Sequence, residues 1–157
     1  MNIKNTFPGC LSTNYDTISI ASAVVELEKY AFTISSFTSV SLDPESILFC
    51  MNKSNELKIT EGRKISISFL HEDQVMLSKA CSDPKKHGER FAFKGWVEED
   101  EYIYNKDSRF VVQSIVTNII EKGTHFIIIC DVNKLLILNE DKKPLIYGNR
   151  DYAKIER

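Results

Sequence analysis

The sequence contains no long hydrophobic run, no block of basic residues and no low-complexity tract. Its longest apolar run, FIIIC at residues 126–130, is far shorter than the roughly 20 residues of a membrane-spanning helix, so we expect no membrane segment. Lysine and arginine are interspersed with glutamate and aspartate, and the net charge is −2, which argues against a nucleic-acid partner. The opening residues MNIKNTFPGC include no apolar core of signal-peptide length, so we expect no export by that route.

The cysteines and histidines lack the spacing of a metal site. The four cysteines include no C-x-x-C pair, and the three histidines show neither H-x-x-x-H nor a cysteine at ligand spacing. His125 and Cys130 lie an odd number of residues apart in one strand pattern, so they point to opposite faces and cannot form a dyad. We therefore expect no metal, and free thiols in a reducing cytoplasm. Cys81 is the one candidate for a thiol-based redox function.

Several enzyme motifs are also absent. G-x-S-x-G, Walker A and G-x-G-x-x-G do not occur, which excludes the common hydrolase, P-loop and Rossmann sites. At 157 residues the chain has the size of one domain. Because it shows no linker composition and no internal repeat, we predict a single domain over residues 1–157.

Strand patterns fill the first half of the chain. Residues 17–27 and 30–37 predict a hairpin, with the polar pair Glu28–Lys29 as its turn. Residues 46–52, SILFCMN, are nearly all apolar, which predicts a strand buried on both faces at the centre of the sheet. In KISISFL at residues 64–70, isoleucine and phenylalanine alternate with serine, which indicates a strand with one face in the core.

A short helix and more strands follow. Residues 71–83 predict a surface helix, with acidic residues early, Lys79 late and Pro84 beyond its end. Three β-rich segments occupy residues 109–120, 124–132 and 134–138, with EKG as a turn between the first two. The pattern predicts a mainly β fold with short helices, arranged as a closed or partly closed antiparallel barrel.

The stretch SSFTSVSLDPESILFCMNKSN at residues 35–55 holds six hydroxyl residues in its first twelve positions. They could cap the turn at Asp43–Pro44 by bonding to local backbone. They could stabilise a sheet edge, for which threonine but not serine is suited. They could line a ligand cleft, where small side chains let a flat polar molecule approach the backbone. The residues alone leave the three roles open.

A wider comparison of motifs favours the third role. TISSFTSVSLDPESILFCMNKSNEL resembles the signature T-A-N-S-F-T-S-V-S-L-D-P-P of the flavin reductase-like family, including the apolar strand that follows it. FLHEDQVMLSKACS, GERFAFKGW, GTHFIIICDV and PLIYGNRDYAKI resemble later segments of that family in register. The resemblance covers residues 32–155.

The resemblance implies a split β-barrel with two or three short helices, homodimeric in the family. It implies binding of FMN or FAD and reduction of that flavin by direct hydride transfer from NADH or NADPH. It also implies a flavin-dependent monooxygenase as recipient of the reduced flavin. The sequence does not distinguish between the two flavins or between the two dinucleotides. The implied cofactor-binding residues are Thr33, Ile34, Ser35, Ser36, Ser39, Val40, Ser41, Asn52, Lys53, Ser54, Asn55, Arg90, Phe91, His125, Tyr147 and Tyr152.

Some of these residues carry specific implied roles. Lys53 would supply charge, and Ser54 and Asn55 hydrogen bonds, to the flavin phosphate. Arg90 would also suit a phosphate, although without the family it would be read as an ordinary surface charge. Phe91 would cover an apolar part of the flavin. His125 is the implied catalytic residue, near the nicotinamide side of the ring.

Four positions depart from the family pattern. Ser35 replaces asparagine, Glu45 replaces the second proline, Leu57 stands where a phosphate-binding threonine is common, and Cys130 replaces glycine. These departures keep a second hypothesis open, in which the protein binds or carries flavin without efficient reduction.

Overall fold

The computed structural model describes residues 5–156. Its helices are α1 (Phe7–Leu11), α2 (Val75–Ser82) and a 3₁₀-helical segment (Pro84–Ala92). Its strands are β1 (Asp16–Thr17), β2 (Ser19–Val25), β3 (Glu28–Ile34), β4 (Thr38–Leu42), β5 (Glu45–Asn52), β6 (Lys64–Phe69), β7 (Trp96–Glu99), β8 (Tyr102–Asn105), β9 (Phe110–Lys122), β10 (His125–Ile137), β11 (Ile146–Gly148) and β12 (Asp151–Ala153).

Seven strands form one antiparallel sheet in the order β3-β2-β6-β9-β10-β5-β4. The sheet curls so that β3 lies against β5 without a backbone ladder between them. The architecture is a split β-barrel with short helices, as predicted. A three-stranded sheet (β1-β11-β12) and a hairpin (β7-β8) cover its outside.

Two groups of apolar side chains stabilise this arrangement. The interior of the barrel is filled by residues from β2, β3, β5, β6, β9 and β10, with Phe49, Ile65 and Ile128 fully buried. A second cluster lies outside the sheet, where Leu77 and Cys81 of α2 pack against β2 and β3. Burial of these side chains is the main favourable free-energy contribution to folding. The predicted helix is confirmed, and it buries one face against the sheet.

The predicted opening hairpin is confirmed as β2–β3, but its turn was placed wrongly. The turn residues are Glu26 and Leu27, with φ of 51° and 70°, and Glu28 and Lys29 already belong to β3. A two-residue turn with both residues in the left-handed region matches the right-handed twist of the flanking strands.

One prediction about strand burial was wrong. The strand β5 is next to last in the sheet, between β10 and β4, and its residues Leu48 and Cys50 are only half-buried. In β6 the apolar face lies in the core as predicted, and Ser66 and Ser68 on the opposite face are equally buried because β8 covers them. There the hydroxyl of Ser68 accepts a hydrogen bond of 3.1 Å from the N–H of Asn105.

The two last predicted strand segments form one strand, β10, which pairs with β9 along its whole length. A register shift between Val132 and Lys134 lies where the sequence suggested a break. Since β5 pairs only with residues 125–131, the second half of β10 has an unpaired edge. Within residues 5–156 no helix is both long and apolar enough to cross a membrane.

Candidate functional site

The split in the barrel is bridged by one side chain. The hydroxyl of Ser36 accepts a hydrogen bond of 2.8 Å from the N–H of Cys50 and donates one of 3.4 Å to the carbonyl oxygen of the same residue. A side chain thus takes the place of a backbone ladder between the end of β3 and β5. Because the two backbones stay apart here, a cavity opens beside the split.

This first cavity has a volume of about 450 Å³, which is within the roughly 300–1,000 Å³ of small-molecule sites. Its walls are residues 32–36 at the end of β3, residues 50–52 and 54–56 around the end of β5, and His125. Its floor comes from the end of α2 and the 3₁₀ segment through Cys81, Ser82, Pro84, His87 and Arg90. Nine predicted residues line it together: Thr33, Ile34, Ser35, Ser36, Asn52, Ser54, Asn55, Arg90 and His125.

One end of the first cavity is rich in hydrogen-bond donors. The side-chain oxygen of Asn52 accepts from the N–H of Ser54 at 2.9 Å, and that of Asn55 accepts from the N–H of Leu57 at 3.0 Å. These bonds orient both amides, and within residues 5–156 their NH₂ groups have no acceptor. Such free donors beside the Ser54 hydroxyl are suited to an anionic group such as a phosphate.

His125 is held at the same end. It is the first residue of β10 and is the cross-strand partner of Asn52. Its Nδ1 lies 2.8 Å from the hydroxyl of Thr124, which fixes the ring.

Lys53 lies next to this end but outside the lining. Its ammonium group pairs with the carboxylate of Glu121 and lies 5.5 Å from the centre of the Phe126 ring. The predicted contact with a flavin phosphate stays a prediction, and in the free chain Glu121 competes for this charge.

Arg90 is not the surface charge that an isolated reading of the sequence suggests, because only 7% of it is exposed. Its guanidinium donates to the carbonyl oxygens of Ala80, Ala31 and Asp83 at 3.1, 2.6 and 2.9 Å. No carboxylate of the described chain lies within ion-pair distance of it. The buried charge therefore ties α2, β3 and the 3₁₀ segment together while leaving the first cavity with a positive wall.

Other predicted residues do not line the first cavity. Phe91 packs in the outer apolar cluster, 4.9 Å from Trp96 between ring centres. Ser39, Val40 and Ser41 lie on the edge strand β4. The hydroxyl of Ser41 accepts from the N–H of Asp43 at 3.2 Å, so it caps the turn. The hydroxyl-rich run thus divides into a cavity wall at residues 33–36 and an edge strand at residues 38–42.

A second cavity of about 520 Å³ adjoins the first. The two share Thr33, Ser35 and Ser82 as a common wall. The predicted residues Tyr147 and Tyr152 line the second cavity, with their rings 5.1 Å apart and nearly perpendicular. His125 therefore lies in the first cavity and the closing tyrosines in the second.

Sequence reasoning missed the contribution of α2 and the segment after it. The hydroxyl of Thr33 donates a 2.7 Å bond to the carbonyl oxygen of Ser78, which fixes the helix against the end of β3. Cys81, Ser82 and His87 reach the first cavity through this contact. The apolar spacing of α2 could have shown that it packs on the sheet, but not which strand end it meets.

The buried thiols of Cys81 and Cys130 are poorly suited to redox chemistry. Cys50, Cys81 and Cys130 are free thiols. Burial raises the pKa of Cys81 to about 12, although the nearby Arg90 acts in the opposite direction. Burial likewise raises the pKa of Cys130 to about 12. Since the thiolate is the reactive form, the structure gives no support to a cysteine-based function.

Two of the family departures fall in the barrel interior. The side chains of Leu57 and Cys130 belong to the inner apolar core. Neither lines the first or the second cavity. Within the described residues there is no cluster of three or more histidine, cysteine, aspartate or glutamate side chains that could hold a metal ion.

The cavities fit a flavin on the chemistry of their walls. The first has small hydroxyl side chains at Thr33, Ser35 and Ser36, neutral donors at one end and a buried positive charge in its floor. The isoalloxazine ring would lie against residues 33–36, and the phosphate would reach Asn52, Ser54 and Asn55.

Comparisons with known proteins point to the same chemistry. A curated relative, the reductase component of the FADH₂-dependent resorcinol hydroxylase of Rhizobium sp. (strain MTP-10005), is 29% identical over 141 residues, which are 87% of this chain and 78% of that protein. The NADH:riboflavin 5′-phosphate oxidoreductase of Streptomyces pristinaespiralis is 27% identical over 130 residues, which are 79% of this chain and 72% of that protein.

A solved structure agrees in fold. The crystal structure of a Haemophilus somnus protein assigned as a flavin reductase superimposes with a TM-score of 0.88 at 25% identity, covering 95% of this chain and 97% of that one. The sequence profile of the family described as "Flavin reductase like domain" matches residues 12–156. The chain therefore belongs to the flavin reductase-like domain family.

Proposed function

We propose that this protein is an NAD(P)H:flavin oxidoreductase, which transfers a hydride from NADH or NADPH to FMN or FAD. The observation that carries this proposal is the pair of adjoining cavities with Thr33, Ser35 and Ser82 in common. Direct hydride transfer needs two flat rings in contact, and two cavities that share a wall can hold them together. The names of the relatives support the same reaction for this chain.

A bound flavin supplies acceptance of a hydride and storage of two electrons. The protein's part is to position the two substrates. Residues 33–36 present backbone and small side chains along one face of the first cavity, so that a ring can approach closely. Placement of this kind converts an encounter in solution into a reaction within one complex, which lowers the barrier by several kcal/mol.

The charge distribution of the first cavity favours an anion. Arg90 adds a buried positive charge that no carboxylate within residues 5–156 pairs with, and the amides of Asn52 and Asn55 add oriented donors. A preorganised positive field of this kind also stabilises negative charge that develops during hydride transfer. His125 lies at the Asn52 end of the first cavity, where we expect it to contact the bound flavin.

The test is a mixture of purified protein, flavin and reduced dinucleotide. With FMN or FAD and either NADH or NADPH, the nicotinamide absorbance should fall much faster than it does without protein. If none of the four combinations does so, the enzyme function is wrong. If flavin still changes the protein's melting temperature or fluorescence, the chain is a flavin carrier instead.

The recipient of the reduced flavin is a separate oxygenase in our proposal. One relative is named as the reductase component of a hydroxylase, which supports this arrangement. Free thiols at Cys50, Cys81 and Cys130 support a reducing compartment such as the cytoplasm.

We also propose a homodimer. Large apolar side chains are exposed on the edge strand β4 (Val40, Leu42) and on the second half of β10 (Leu135, Ile137). Exposed apolar side chains on an edge strand and on an unpaired strand end are suited to contact with another chain. A second copy of the protein would cover it.

A further inference from the structure

We propose that Lys79 and Arg150 bind phosphate groups of the nicotinamide dinucleotide in the second cavity. This inference rests on the proposed function and adds two residues to it. The shared chemistry is a phosphate anion, which is either the pyrophosphate of both dinucleotides or the 2′-phosphate of NADPH alone.

Lys79 and Arg150 line the second cavity, and both residues are exposed. Lys79 lies on the exposed side of α2, with its ammonium group 5.7 Å from the centre of the Tyr152 ring. Within residues 5–156, neither Lys79 nor Arg150 forms an ion pair with a carboxylate. By contrast, Lys29, Lys53 and Lys64 each pair with a glutamate.

The position of Arg150 is fixed by the fold. Asn149 and Arg150 form the turn between β11 and β12, with φ of 51° and 63°. The N–H of Asn149 donates a 2.6 Å bond to the carbonyl oxygen of Ser12. At Gly148 an added Cβ would lie 2.5 Å from the carbonyl oxygen of Asn14, so the N-terminal segment packs directly against the hairpin. Arg150 is therefore presented at the cavity by an anchored turn.

The remaining groups of the second cavity agree with an anionic ligand. Among the described residues that line it, the one carboxylate is that of Asp151, which accepts a bond of 2.8 Å from the N–H of Tyr152. The hydroxyls of Ser78 and Tyr152 lie 2.9 Å apart and add polar groups to the wall. With two cations and one carboxylate, this described lining has a net positive charge.

The volume of the second cavity and the wall that it shares with the first suggest which part of the dinucleotide each would hold. At about 520 Å³ it holds part of a dinucleotide, and the shared wall at Thr33, Ser35 and Ser82 leads into the first cavity. The nicotinamide ring would reach the flavin across this wall, while the phosphates stay between α2 and the β11–β12 turn. The donors at Asn52 and Asn55 line only the first cavity and remain for the flavin phosphate.

Steady-state kinetics with NADH and with NADPH test the inference. We expect Lys79→Gln and Arg150→Gln each to raise KM for at least one dinucleotide about five- to tenfold, as loss of a charge-assisted hydrogen bond does. The KM for flavin and kcat should stay within about twofold of wild type. Lys85→Gln is the matched control, because Lys85 is exposed on the neighbouring 3₁₀ segment and lines neither cavity.

The pattern of the changes identifies the phosphate. A higher KM for NADPH alone assigns the contact to the 2′-phosphate, and a higher KM for both dinucleotides assigns it to the pyrophosphate. If both KM values stay unchanged in both variants, the inference is wrong.

Direct binding separates this inference from the proposed function. The fluorescence of NADH and of NADPH is titrated with flavin-free wild type and with each variant. Suppose that the wild type reduces no flavin, but that each variant binds a dinucleotide about five- to tenfold more weakly than the wild type does. That result contradicts only the proposed function. Equal affinities of wild type and variants, or no binding by wild type, overturn the inference itself.

Discussion

Arg90 Nη1 donates a hydrogen bond of 2.6 Å to the carbonyl oxygen of Ala31, so the 3₁₀ segment is tied to strand β3 beside the first cavity. The same guanidinium also donates hydrogen bonds to the carbonyl oxygens of Ala80 and Asp83. Buried carbonyl groups that lose their donor cost free energy, because water cannot reach them.

Replacement of Arg90 should therefore be costly. We expect Arg90→Leu to lower the free energy of unfolding by about 3 kcal/mol or more, since three carbonyl groups lose a charged donor at roughly 1–3 kcal/mol each. Urea denaturation followed by circular dichroism measures the change. Lys85→Leu, an exposed change on the same segment, should stay within about 0.5 kcal/mol of wild type. Equal stability of the two variants would refute the structural role of Arg90.

Ser35 lies on the wall that both cavities share, and its side chain is exposed. We expect Ser35→Leu to weaken FMN binding at least about tenfold, because the added volume fills the place of the ring; the corresponding free-energy loss is about 1.4 kcal/mol. The free energy of unfolding should be nearly unchanged, since the substitution removes no hydrogen bond or core contact. Fluorescence titration with FMN measures the affinity.

Ser39→Leu is the control for this substitution. Ser39 is also exposed, but it lies on the edge strand β4 outside both cavities. If Ser39→Leu weakens FMN binding as much as Ser35→Leu does, the flavin lies along β4 as well, and the predicted contact of Ser39 gains support.

These two serines also show how far the sequence can be read. The hydroxyl-rich run alone left three roles open and its resemblance to the family signature favoured a ligand cleft; residues 33–36 do line a cavity. Residues 38–42 continue the same composition but turn onto the sheet edge. What separates the two halves is the Ser36–Cys50 bridge, a contact between residues that are distant in sequence. Composition carries no record of such contacts.

Burial of strands was harder to predict for a similar reason. The alternation of β6 correctly indicated one face in the core, but it did not indicate that β8 covers Ser66 and Ser68 on the other face. The sequence gives the period of the strand, but the covering hairpin comes from residues 96–105, far along the chain. The positions of β2, β3, β5, β6, β9 and β10 were predicted, because period and β-propensity are local properties. No strand was predicted at the shorter β4, β7, β8, β11 and β12.

Stability at alkaline pH should depend on the buried thiols. Burial raises the pKa of Cys81 and of Cys130 from 9.0 to about 12. Below pH 9 both the folded and the unfolded chain hold the thiol proton, and the full stabilising contribution is present. Between pH 9 and about 12 only the folded chain holds it. Stability therefore falls as pH rises, by about 1.4 kcal/mol per pH unit for each thiol.

Urea denaturation from pH 8 to pH 10.5 measures this slope. Cys81→Ala and Cys130→Ala should each make the slope shallower by about 1.4 kcal/mol per pH unit. Val116→Ala, a truncation in the interior core that holds Cys130 and without a titrating group, should lower stability equally at every pH. A slope that neither cysteine variant changes would contradict the assignment.

The exposed apolar side chains of β4 and β10 lead to a prediction about assembly. Leu135 and Ile137 are 54% and 61% exposed on the part of β10 that extends beyond β5, and Leu42 is 87% exposed on β4. If a second copy covers them, burying each side chain contributes about 1.5–3 kcal/mol to association. Leu135→Glu combined with Ile137→Glu should then convert a dimer into a monomer, which sedimentation velocity resolves.

Leu27→Glu is the matched control, because Leu27 is 95% exposed but lies alone at the β2–β3 turn. A wild-type protein that sediments as a monomer at high concentration would contradict the homodimer.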